Sequence, residues 1–170
     1  MRRSALALVL VLAASAAHAT DVWEVYPFEA GGGTIAALPA ADLESPEPHW
    51  SLAMTCRRGA DWDMAVAGVD AAALGAAITS GAEVQFAIIA DGDENNTPAY
   101  GYYPRIAFDQ MFGEWGYSTP FGMQQIDDIA AARSLEVKGT GVAFPLPPTG
   151  TAEAFAEFRA LCAALPQDDQ

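Results

Sequence analysis

Basic side chains are scarce in this chain: 8 lysines and arginines stand against 22 aspartates and glutamates, for a formal net charge of −14. That field repels nucleic acid and anionic membranes, both of which reward clusters of Lys and Arg. Histidine is scarcer still, with two in 170 residues. Nucleophilic catalysis needs an activated residue with a base beside it, and beyond residue 19 only His49 is left as an imidazole base. There is no nucleophile elbow, and Gly31-Gly32-Gly33 lacks the lysine and the helix of a phosphate loop. Cysteine is limited to Cys56 and Cys162, which with His49 fall short of a structural zinc site. No apolar run reaches the roughly 20 residues that a membrane-spanning helix needs. These shortages lead to the expectation of a non-enzymatic protein with no cofactor and no catalytic residue.

What is present begins with an export signal. Arg2 and Arg3 form a positive n-region, residues 5–14 a short apolar core, and Ala17-His18-Ala19 places small residues where a signal peptidase cuts. Cleavage after Ala19 removes two of the 8 basic residues and none of the 22 acidic ones, so the mature charge is 6 minus 22, or −16. No cysteine lies near the cut to accept lipid, so no membrane anchor is expected after cleavage. Residues 20–170 then make a single globular domain, an ordinary length for one, in the periplasm or outside the cell. With two cysteines in an oxidising compartment, a Cys56–Cys162 disulfide is expected, the alternative being two buried thiols.

Hydropathy patterning supplies the elements. Residues 22–26 and 34–38 read as short strands around the triple glycine, and the acidic, proline-rich stretch 39–48 as a loop. Trp50, Leu52, Met54 and Cys56 alternate with smaller residues, Arg57-Arg58-Gly59 breaks the alternation, and Trp62, Met64 and Val66 resume it. That period of two predicts a hairpin over 50–67. Asp70 is placed to cap a short alanine-rich helix closed by Gly81, and 84–90 is apolar throughout, as in an interior strand. Residues 100–108 are expected as one strand with Tyr102, Pro104, Ile106 and Phe108 on one face, Pro104 marking an edge or a bulge. A short strand over 113–117 follows. Thr119-Pro120 suits the start of a helix running to about Arg133, and 135–138 with 142–146 form a second hairpin. Thr151 is expected to cap the last helix, whose stripe of Phe155, Phe158, Leu161, Cys162 and Leu165 faces a core. The fold class is α+β: an antiparallel sheet with two or three short helices packed on it, the C-terminal helix tied to the sheet by the disulfide.

Two stretches stand out as candidate sites. In Asp91-Gly92-Asp93-Glu94-Asn95-Asn96, the oxygens of Asp91, Asp93 and Asn95 alternate as at the start of a calcium loop. The sixth and twelfth places hold Asn96 and Tyr102 instead of the glycine and glutamate of an EF-hand, so ordinary turn chemistry competes with a calcium site. The aromatic run after it contains Tyr100, Tyr103 and Tyr117, which lie beside polar loops and suit a recognition surface as well as a sheet core, and Phe108 and Phe112, which are assigned to the core. The candidate binding face is therefore Asp91, Asp93, Asn95, Tyr100, Tyr103 and Tyr117. Arg57 and Arg58 are read as solvated charges beside Asp61 and Asp63, with capture of a carboxylate as the rarer use.

The order of features resembles a group of small exported, disulfide-stapled envelope domains of Gram-negative bacteria, the VasI-like accessory proteins of type VI secretion among them. The shared pattern is an early strand ending in cysteine, Trp50 to Cys56, and a late strand over 142–146 leading into a helix that carries Cys162. The resemblance implies an envelope domain without catalysis and transfers no functional residue. The expected function is binding of another envelope protein, one of positive charge included. An inhibitor of a cationic envelope enzyme such as a lysozyme is one alternative. A small hydrolase using two carboxylates is another.

Overall fold

The computed structural model describes residues 22–39, 49–59, 62–110, 113–147 and 150–166. The export signal, most of the 39–48 loop, Asp61 and Phe112 lie outside the described residues. Among the described residues ten strands and three helices follow one another, all strand pairs antiparallel. The strands are β1 (Val22–Pro27), β2 (Gly32–Leu38), β3 (Leu52–Arg57), β4 (Asp63–Val69), β5 (Gln85–Ala90), β6 (Ala99–Tyr102), β7 (Arg105–Asp109), β8 (Glu114–Pro120), β9 (Leu135–Gly139) and β10 (Val142–Pro145). Helix α1 (Ala71–Ser80) follows β4, α2 (Met123–Ala131) follows β8, and α3 (Thr151–Ala163) ends the fold. They form a six-stranded sheet in the order β1-β2-β3-β4-β8-β7 and a four-stranded sheet in the order β10-β9-β5-β6. The expected α+β class holds, with two sheets in place of one.

Local chemistry accounts for most boundaries. Asp70 caps α1 by accepting from the Ala73 amide at 2.6 Å, and Gly81 closes it in the left-handed conformation at φ 70°. In α2 the reading of Thr119-Pro120 as a start is corrected: both finish β8, and Gly122 is the cap. Gln125 reaches back to the Gly122 amide at 2.9 Å, the return half of a capping box. Thr151 likewise lies inside α3, with Gly150 at the cap position and its own hydroxyl donating to Pro147 O at 3.2 Å.

The largest departure concerns residues 100–108. The expected single strand is two, β6 and β7, on different sheets. Tyr103 adopts φ 51°, and Pro104, having no N–H to give a ladder, marks the corner where the chain changes sheets. A period of two continues across such a corner, so patterning alone cannot reveal it.

The core lies between the two sheets and under α2 and α3. Phe86 of β5 stacks on Tyr117 of β8, ring centroids 5.8 Å apart, and so joins the sheets. Its register partners on both neighbouring strands are glycines, Gly101 and Gly139. A Cβ at Gly139 would lie 2.6 Å from the Phe86 Cβ, and one at Gly101 2.8 Å from its ring. On the other side α3 lies against β1, β2 and α2, with Phe155, Phe158 and Cys162 buried. Cys162 is bonded to Cys56 of β3, Cα to Cα 5.7 Å, so the C-terminal helix is stapled to the larger sheet.

Candidate functional site

The residues expected to share a binding face do not come together. Asp91, at φ 56°, turns its Oδ1 inward to accept from the amides of Arg133 and Ser134 at 2.9 and 3.0 Å. Asp93 accepts from the amide and side chain of Asn95 at 2.9 and 3.0 Å, closing the loop on itself. The polar groups of this turn thus tie β5 to the segment before β9. Tyr100 lies on β6 opposite Ala87. Tyr103 is 74 % exposed and donates to Glu83 at 3.1 Å, but it sits beyond the far end of β6 from the Asp91 loop. Four residues of strand, about 13 Å, separate the two.

Tyr117 must be corrected outright. It is 1 % exposed, and its hydroxyl donates to Thr140 O at 2.6 Å while its ring stacks on Phe86. Burial pushes its phenol above the ordinary value of 10.0, and burial with a hydrogen bond to Glu24 pushes Tyr26 up to about 12. A folded-state pKa raised above the unfolded one contributes stability that is fully present below the unfolded pKa and lost as pH rises. Thermal melts are therefore expected to fall as pH climbs from about 9 to about 11, and Tyr117→Phe should make that fall shallower. An unchanged slope in Tyr117→Phe would disprove the assignment.

Phe108, expected in the core, is 47 % exposed, and Ile106 two residues before it is 37 % exposed. Both stand on β7, the last strand of the larger sheet, where only β8 is a neighbour. Phe108 meets Trp115 edge to face at 5.3 Å between centroids.

Beside this edge the outer face of β4, β8 and β7 forms a groove of about 250 Å³. The period of two puts Met64, Val66 and Tyr117 inside and leaves Ala65, Gly116 and Ala107 outside, so the floor has almost no side chains. Trp50 also lines it, together with Asp109 and Glu114, which are direct register partners across the β7–β8 pair, whereas Phe108 and Trp115 border it with the inward parity of Tyr117. His49 Nε2 and Glu114 Oε1 share a hydrogen bond of 2.5 Å at the groove's margin. The chain matches no family model, no curated protein and no solved structure. The chemistry of the groove must therefore be read from its own atoms.

Small-molecule sites usually run from about 300 to 1,000 Å³, so a groove of this size suits one inserted side chain better than a cofactor. The Trp50 ring and two carboxylates fit the apolar stem and charged head of a lysine or arginine. Among the described residues no group of three His, Cys, Asp or Glu is arranged to hold a metal ion. Sequence reading missed this site because Asp109, Glu114 and His49 become neighbours only through strand pairing. The one available sign was Asp109 and Glu114 standing on either side of a short turn, as a hairpin would set them.

Proposed function

We propose that this chain is an exported, non-catalytic interaction domain that binds another envelope protein through the groove over β4, β8 and β7. The observation that carries this reading is the groove itself: a side-chain-sized recess with an almost bare floor, Trp50 beside it and Asp109 and Glu114 in its lining. Its partner would offer a lysine or arginine, which agrees with the chain's charge of −14. Export is supported by the signal-like residues 1–19 and by the Cys56–Cys162 bond, which suits an oxidising compartment. Among the described residues no helix is long and apolar enough to cross a membrane. A basic enzyme such as a lysozyme is one partner of the required chemistry, and inhibition would be the consequence of docking. The resemblance to VasI-like proteins supports the same compartment.

The test is crosslinking of the tagged protein in its own cells, with the captured partner then purified for binding measurements. Trp50→Ala and Glu114→Lys are each expected to weaken that binding roughly tenfold or more. Tyr103→Ala, outside the groove, should leave it unchanged, and added salt should weaken it. A partner lost with Tyr103→Ala but indifferent to both groove variants would overturn the reading.

One observation favours a second reading, the carboxylate hydrolase. Asp109 and Glu114 face each other in one groove, which is the minimum such chemistry requires. Hydrolysis of an envelope polymer abolished by Asp109→Asn and by Glu114→Gln would support it, and no turnover of any such polymer would remove it.

A further inference from the structure

A sheet edge presents unpaired backbone groups, and most proteins block it with proline, charge or cover. Among the described residues this fold has four edges. β1 carries Glu24 in mid-strand and ends on Pro27, β10 ends on Pro145, and β6 starts directly after Pro98. β7 starts directly after Pro104 but has no proline within it, and its charges stand only at its ends, Arg105 and Asp109. Between them lie Ile106, Ala107 and Phe108, all exposed. Within β7 there is neither a proline nor a mid-strand charge, and its three central side chains are apolar and exposed.

The sequence of that edge reads as its own complement. Place a second β7 antiparallel to the first, with a twofold axis through Ala107. Arg105 then falls opposite Asp109 of the second copy, and Asp109 opposite Arg105. Ile106 meets Phe108 of the second copy, and Phe108 meets Ile106. Ala107 meets Ala107, and its small side chain lets the strands close at the axis. Opposite charges and aromatic–aliphatic pairs directly across an antiparallel ladder are the favourable combinations. Moving the axis by one residue, to Ile106 or Phe108, destroys both charge pairings. We propose that β7 pairs with β7 of a second copy of this chain, joining two six-stranded sheets into one continuous sheet of twelve.

This goes beyond the groove reading and shares only Asp109 with it: edge pairing leaves Trp50, Glu114 and the rest of the outer face open and brings two grooves side by side across the axis. Five paired residues per copy bury less than the roughly 800 Å² per partner of a stable interface. The dimer is accordingly weak and reversible. Two chains of charge −14 repel each other, so salt strengthens the dimer, whereas it weakens docking of a basic partner.

Register is tested with single cysteines in the otherwise intact protein. Under mild oxidation Ala107→Cys should form a covalent dimer, since directly opposed Cβ atoms on a ladder lie at about the spacing a disulfide needs. Arg105→Cys and Asp109→Cys should each stay monomeric alone, because each is about 13 Å from its own copy. Mixed together, those two should crosslink. Sedimentation should show dimer growing with salt and with concentration towards roughly 100 µM. Ile106→Lys, which does not line the groove, should lower the association constant at least tenfold while leaving partner capture intact, and Trp50→Ala should do the reverse. A monomer under all these conditions, or crosslinking at 107 no faster than from Ile78→Cys on α1, would refute the dimer and leave the groove reading standing.

Discussion

Replacing Cys56 and Cys162 together by alanine is expected to cost about 4–5 kcal/mol of stability, the chain-entropy value for a loop of about a hundred residues. The two cysteines are 106 residues apart in the chain. Whole domains are stable by only about 5–15 kcal/mol, so this one bond is a large share of the total. For a domain of this length it corresponds to a fall in melting temperature of about 10–20 °C. The direction follows from where the bond sits. Cys56 is next to last in β3, in the middle of the larger sheet, and Cys162 is in the last turns of α3, so every element from β4 to β10 lies within the closed loop. Opening the loop frees the unfolded chain far more than it alters the native contacts, since both cysteines are buried and surrounded by apolar side chains. Urea unfolding of the double variant beside the wild type, and of the wild type with and without reductant, measures the effect. Equal midpoints for the double variant and for the wild type with and without reductant would sink it, as would two free thiols in the native protein by intact mass after alkylation.

That bond was legible in the sequence because each cysteine lies on an apolar repeat of clear period. Cys56 follows Leu52 and Met54 at a spacing of two, and Cys162 follows Phe155 and Phe158 at helical spacing. Period fixes the face on which a residue lies, and a cysteine on a core face in an oxidising compartment has few partners to choose from. The α1 helix was legible for a similar reason, since Asp70 and Gly81 are local signals acting over four residues. The candidate site was not, because it is built from pairing. Asp109 faces Glu114, and His49 meets Glu114, only after β8 inserts between β4 and β7. Tyr117 illustrates the same limit: neighbouring polar loops suggested exposure, yet its parity on β8 turns it toward Phe86 of the other sheet.

The corner at Tyr103 and Pro104 connects fold to function. By leaving the smaller sheet there, the chain delivers β7 to the rim of the larger sheet, past the region that the smaller sheet and the helices cover. Ile106 and Phe108 share inward parity with Tyr117 and Trp115, but at the rim they remain partly in solvent. A strand patterned for a core and placed at an edge is what an interaction surface requires. Shaving those side chains should therefore cost little folding stability, with Phe108→Ala expected within about 0.5 kcal/mol of wild type, as for most surface positions.

Phe155→Ala is expected to behave in the opposite way and to cost about 3–5 kcal/mol, the usual range for removing a buried phenylalanine. Phe155 is fully buried in the first half of α3, and its ring meets Trp23 of β1 edge to face at 4.9 Å. Trp23 is held in turn by its indole N–H donating to Pro147 O at 3.0 Å, on the segment that leads into α3. Truncation leaves a void on a rigid wall, because Trp23 cannot follow the missing ring without giving up that hydrogen bond. The variant also separates two attachments of the same helix. Phe155 fixes its beginning to β1, while Cys162, seven residues or about 10 Å further along, fixes its end to β3. With the disulfide intact, Phe155→Ala should remain folded with a lowered urea midpoint. With both cysteines also replaced, the combined loss of about 8 kcal/mol exceeds the stability of many domains, and the triple variant should be largely unfolded at room temperature. Far-ultraviolet circular dichroism of the three proteins at matched urea concentrations decides it. A triple variant with native ellipticity and an unshifted midpoint would mean that α3 is a passenger on the sheet and that the core stands without it.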